Sequence, residues 1–188
     1  MKKFIFITAT GLAIVYLTAC QNTSKNSVSA ADSTNTVNIS SGTTVLNKSA
    51  TDFAVAAANG GMMEVELGKL AEQKGRSRRV REFGKMMVDD HTNLNERMKE
   101  IASVQHITLP DSISTGDRKK MDDLKKKSGK AFDRSYIDMM VDDHKSDIND
   151  FQKAANDIKD TMLNTFASQA LPTLQKHLDS AQAIQQSF

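Results

Sequence analysis

Four stretches of this chain repeat apolar residues every three or four positions, and two of them carry the same six residues in the same phase. Met86-Met87-Val88-Asp89-Asp90-His91 recurs as Met139-Met140-Val141-Asp142-Asp143-His144. A period near 3.6 belongs to an α-helix and places Met87 with His91, and Met140 with His144, on one helix face. No stretch alternates with the period of two that a half-buried strand requires. The chain is therefore read as all-α.

The first stripe runs through Phe53, Ala56, Ala57, Gly60, Met63, Leu67, Leu70 and Ala71, with Ser49 and Asp52 as a capping pair at its start. The second runs Val80, Phe83, Met87, His91, Leu94, Met98 and Ile101, and stops before Leu109-Pro110. A polar, charged crossover from Asp111 to Lys130 follows, with a short helix expected around Arg118 to Lys127. The third stripe contains Tyr136, Ile137, Met140, His144, Ile148, Phe151, Ala155 and Ile158; the fourth contains Met162, Phe166, Ala170, Leu174, His177, Leu178, Ala181 and Ile184. Pro172 lies inside the fourth and is expected to kink it. Four such faces bury each other best as two antiparallel hairpins in a four-helix bundle.

The N-terminus reads as an export signal. Lys2 and Lys3 precede an apolar run from Phe4 to Tyr16, too short to span a bilayer stably, and then Leu17-Thr18-Ala19-Cys20. Small residues before a single cysteine resemble a bacterial lipobox, so residues 1–19 are expected to be a lipoprotein signal peptide and Cys20 the lipidated residue. As the only cysteine, Cys20 has no intramolecular disulfide partner. Several acyl chains would anchor the product durably. Gln21 is not the aspartate that retains such proteins in the inner membrane, which favours the outer membrane, facing the periplasm. The Ser, Thr and Asn-rich stretch that follows has no sustained period, so residues 20–48 are expected to form a disordered tether and residues 49–188 the folded domain. Loss of Lys2 and Lys3 with the leader brings the 25 basic side chains level with the 23 acidic ones, which gives no reason to propose nucleic acid as a partner.

Residues equidistant from a hairpin turn lie at the same height in its two helices. Counted from turns near Ser77 and Asp160, Glu64 faces His91, and His144 faces His177 to within about 1.5 Å, one residue of helical rise. Each of these lies near the middle of its helix. Glu64, His91, His144 and His177 are thus candidates for one cluster in the bundle, with Asp90 and Asp143 at its edges. Imidazole and carboxylate groups suit iron, zinc, copper or manganese, and thioethers from Met87 and Met140 would favour copper. A second reading makes the histidines structural, hydrogen-bonded to the neighbouring aspartates, in a non-catalytic envelope protein whose outer faces bind another protein. Nucleophile elbows, glycine-rich phosphate loops, His-Glu-x-x-His and paired zinc cysteines are all missing from the sequence, so no catalytic residues are assigned.

Glu64-Val65-Glu66-Leu67-Gly68-Lys69-Leu70-Ala71, the two Met-Val-Asp-Asp-His segments, Phe132-Asp133 with Tyr136, and Leu171-Pro172-Thr173-Leu174 with His177-Leu178 together resemble the bacterial domain-of-unknown-function family 4142. The resemblance covers Phe53 to Phe188. It implies an exported protein, often of the outer membrane, with a ferritin-like four-helix bundle, and it implies no activity. The Glu-x-x-His pairs of ferritin-type di-iron proteins are absent from this sequence, which disfavours a di-iron oxidase.

Overall fold

The computed structural model describes residues 26–188. The expected signal peptide and Cys20 lie outside these residues. Six helices follow in order: α1 (Ser27–Ser40), α2 (Lys48–Lys74), α3 (Arg78–Gln105), α4 (Thr115–Lys125), α5 (Gly129–Asp157) and α6 (Thr161–Gln185), with no strand among the described residues. α2 pairs with α3 and α5 with α6, and the two hairpins meet through α3 against α6 and α2 against α5. This is the all-α four-helix bundle that the stripes require, with α4 riding on the crossover between the hairpins. Among the described residues no helix is long and apolar enough to cross a membrane.

Two glycines set the first hairpin. A Cβ on Gly68 would lie 2.7 Å from the carbonyl oxygen of Gly84, and a Cβ on Gly84 would lie 2.7 Å from that of Gly68. Only hydrogen at both positions lets the backbones approach this closely. Glu64 is one turn from Gly68 and His91 two turns from Gly84, so this approach draws the two side chains together across the hairpin. The N-terminus of α3 is closed from outside the hairpin: both oxygens of buried Asp133 on α5 accept, at 2.8 Å each, from the amides of Arg76 and Ser77. At the second hairpin Asp160 caps α6 by accepting from Leu163 N at 2.9 Å. α6 continues through Pro172, which is exposed.

The crossover is pinned by Asn59 of α2. Its amide donates to Asp117 and its carbonyl oxygen accepts from Ser114 N, while Ser114 caps α4. The short helix therefore begins at Thr115, three residues before the expected start, because the Ser114 cap lies there.

Two expectations at the N-terminal side are corrected. Asn47, not Ser49, caps α2, accepting from Ala50 N at 2.9 Å, so the helix starts at Lys48. Part of the stretch expected to be a disordered tether is α1, which packs on α2. Its hold is polar. Asn35 is buried, donates to Thr108 O at 2.9 Å and accepts from Thr108 N at 2.8 Å, and Ser27 bonds Asp111. Hydrophobic periodicity cannot reveal a helix fastened by its amides and hydroxyls.

The interior divides into two apolar clusters. One holds Met63, Leu67, Met87, Tyr136, Met140 and Leu178; the other holds Met98, Phe151, Phe166 and Leu174. Along α3, α5 and α6 the residues between these clusters are His91, His144 with Asp147, and His177. A polar layer thus interrupts the core at mid-height.

A candidate metal centre of three buried histidines

His91, His144, His177 and Glu64 are all buried, exposing 2 % or less of their surfaces. Ring centroids of the three histidines are 5.1 to 5.7 Å apart. One nitrogen of each lies within 4.8 Å of the others, a grouping that could hold a metal ion.

The outward-facing nitrogens fix the tautomers, because a carbonyl or carboxylate oxygen only accepts. His144 Nδ1 lies 2.9 Å from Met140 O and must donate to it, which leaves the lone pair on Nε2. His177 Nε2 lies 2.9 Å from Asp90 Oδ2 and donates to it, which leaves the lone pair on Nδ1. His91 Nδ1 lies 2.9 Å from Glu64 Oε2 and donates to it, so Nε2 carries the lone pair and has no protein partner. The lone pairs of His144 Nε2 and His177 Nδ1 then face each other at 3.2 Å. Neutral imidazoles in this arrangement leave three buried acceptor nitrogens with no protein donor.

Burial keeps the rings neutral. It pushes His91, His144 and His177 from the ordinary 6.5 down to about 4. Asp90 is the charged group at the rim: partial burial works against its ionisation, but hydrogen bonds from His177 and from Lys176, 3.0 Å away, outweigh it and hold its carboxyl below the usual value.

The other carboxyls behave differently. Burial raises Glu64, and burial followed by the charges of Glu64 and Asp143 raises Asp147, so both lie well above the usual carboxylate range. Each disfavours ionisation of the other in the buried layer, so the pair favours holding a proton over carrying two charges. Glu64 Oε1 has no hydrogen-bond partner and lies 3.6 Å from His144 Nε2. Asp143 is pushed up to about 6 by burial, faces Lys120 and Asp117 of α4, and has an unpartnered Oδ2.

The hairpin counting thus matches the geometry: Glu64 meets His91, and His144 meets His177. The flanking positions divide. Asp90 grips His177 from the side away from the other rings, and Asp143 turns toward the crossover helix. Met87 and Met140 are enclosed in the first apolar cluster, and what Met140 gives the histidines directly is its backbone oxygen. His106, at the end of α3, is exposed and adopts the left-handed conformation with φ of 55°. Asp147 is the residue the sequence reading missed. Its signal was a carboxyl on the stripe face, one turn beyond His144, where the other copy of the repeat has Leu94.

No curated protein matches the sequence. Among solved structures, the crystal structure of a DUF305 fragment from Deinococcus radiodurans is similar with a TM-score of 0.67, at 10 % identity, over 76 % of this chain and 99 % of that one. At that identity the likeness shows the shared helical fold. Residues 35–184, which take in α2 to α5, nearly all of α6 and all four side chains of the buried cluster, match the profile of a domain of unknown function, and the chain belongs to that family, DUF4142.

Proposed function

We propose that this chain binds one transition-metal ion inside the bundle through His91 Nε2, His144 Nε2 and His177 Nδ1, for storage, buffering or protection against metal stress. The observation that carries this reading is the grouping of three buried imidazoles whose free nitrogens have no protein donor. Two nitrogens bound to a tetrahedral ion at about 2.0–2.1 Å are roughly 3.3 Å apart. The 3.2 Å between His144 Nε2 and His177 Nδ1 fits that spacing. A structural role for the histidines needs a proton between these two atoms, against the burial that disfavours it, and still leaves His91 Nε2 without a partner.

The surroundings support the same reading. Each ring donates its outer N–H to a carbonyl or carboxylate, the arrangement that orients and strengthens imidazole ligands. Glu64 accepts from His91 Nδ1, on the side of that ring away from Nε2, and so orients this imidazole as Asp90 orients that of His177. Binding would release the proton held by the Glu64–Asp147 pair. Imidazole and carboxylate together suit iron, copper, zinc or manganese, with copper favoured by intrinsic affinity. We further propose that the domain is exported and held by lipid on Cys20 at the outer membrane, facing the periplasm, a reading supported by the leader sequence alone.

Elemental analysis of the untagged chain, after exposure to each of the four metals and removal of loosely held ions, tests the site. The expected result is a single equivalent retained by the wild type and lost in His91→Gln, with the helical circular dichroism unchanged. His91 Nε2 makes no hydrogen bond, and the glutamine amide keeps an N–H to offer Glu64 in place of His91 Nδ1, so the change removes a ligand while retaining a donor for the buried carboxyl. Retention of metal by this variant, or no retention by the wild type, would remove the reading.

A further inference from the structure

A buried site needs a way in, and the bundle contains one next to it. A cleft of about 60 Å³ lies among α2, α3, α5 and α6, with Glu64 and His91 in its lining, and has room for several water-sized particles. Asp147 and Asp150 line it on the α5 side. It shares Phe53, Ala56 and Asp150 with an adjoining surface groove of about 360 Å³ that also presents Asp52 and Asp157. Ala56 and Asp150 are exposed, so the two together connect solvent to the polar layer. The atoms at the inner end, Glu64 Oε1 and His91 Nε2, are the buried ones without partners.

The Gly60-Gly61 pair of α2 borders this cleft. Each glycine inside a helix costs about 1 kcal/mol relative to alanine, so a pair at mid-helix asks for a reason. Gly61 has one in packing, since a Cβ there would collide with the Asn95 side chain. Gly60 has none: a Cβ added to it meets no atom within 4 Å. A side chain added at this lining position therefore has room beside the cleft.

We infer that the cleft running from Asp150 past Asp147 and Gly60 to Glu64 and His91 is the passage by which a divalent cation enters and leaves the three-histidine site. The inference rests on the metal reading above and adds the route. The Asp150 carboxylate at the mouth attracts the ion, and the Glu64–Asp147 pair, which can give up its proton as a cation approaches, offsets the loss of hydration further in. Lys153, which pairs with Asp150 at 3.4 Å, is the basic side chain at the mouth.

The test is stopped-flow uptake of Co²⁺, followed by its absorption bands in the full chain, and release of the bound ion into excess EDTA. Gly60→Leu fills the cleft from a position with room for it, and is expected to slow uptake and release by the same factor while leaving the equilibrium affinity unchanged, because an obstructed path alters neither end state. Asp150→Lys, at the exposed mouth, keeps the test decisive should the leucine variant fail to fold; uptake should slow by about tenfold at low salt, with the difference shrinking as salt is added. Rates equal to wild type in both folded variants would overturn the passage. A wild-type chain that takes up no Co²⁺ and retains none of the four metals would instead overturn the histidine site itself.

Discussion

The two copies of the hexapeptide occupy equivalent places in their helices and do different chemistry. Met87 and Met140 are both fully buried, His91 and His144 are both buried, and Asp89 and Asp142 are both exposed. The aspartates before the histidines diverge. Asp90 of α3 meets Lys176 and His177 of α6, stays ionised and fixes an imidazole; Asp143 of α5 meets the crossover helix and the Glu64–Asp147 pair, and is raised by burial. The histidines also find different acceptors, a carboxylate for His91 and a backbone carbonyl for His144. One turn later the copies differ in sequence as well, Leu94 against Asp147. Helical phase decides which side chains turn inward, and the neighbouring helix decides what each one does there.

Exchanging the paired aspartates separates the two roles most sharply. Asp90→Asn takes the anionic acceptor from His177 and is expected to weaken metal binding by about 10–100-fold, the usual cost of losing such a partner. Asp143→Asn should leave affinity within a few-fold of wild type, because Asp143 holds no histidine. Competition titration with a chelator of known affinity measures both, and equal losses in the two variants would mean that the copies act alike.

The divergence at Asp147 predicts a smaller effect that depends on pH. A carboxyl raised by folding contributes stability that is fully present below its unfolded value and is lost as pH rises through its folded value. Asp147→Asn removes that loss. Melting curves of metal-free wild type and variant should therefore lie close together near pH 4, with the variant increasingly more stable as pH rises through neutrality and beyond. Parallel curves would show that Asp147 carries no such proton.

The smallest effect is spectroscopic. Despite their different acceptors, His91 and His144 should both be Nδ1–H tautomers and His177 the Nε2–H tautomer in the metal-free protein. With values near 4, all three rings should remain neutral at pH 5.5. Long-range ¹H–¹⁵N correlation spectra distinguish these forms directly, and a doubly protonated His177 at that pH would restore the structural reading of the cluster.

Much of the candidate site was legible because it depends on helical geometry. The 3.6-residue period put Glu64 and the three histidines on buried faces, and counting from the hairpin turns paired them at the right heights. The hidden part depends on which helix stands beside which. Nothing in Asp90-His91 or Asp143-His144 says that one aspartate turns to α6 and the other to α4. Asp147 was visible only as a carboxyl out of place on an apolar stripe. Asn47 and Ser49 stand two residues apart, and where several cap-forming side chains are adjacent only backbone geometry chooses among them.

By itself, then, the sequence determined the helical class, the four amphipathic faces, the turns and the height of the histidine layer, because those follow from local periodicity and steric rules along one chain. The tertiary structure decided the docking of α1 through Asn35, the close approach at Gly68 and Gly84, the division of carboxyls into charged and proton-bearing groups, and the gathering of three buried histidines. Each of these turns on distances between residues far apart in the chain, and burial and electrostatics act through such distances whatever the local pattern.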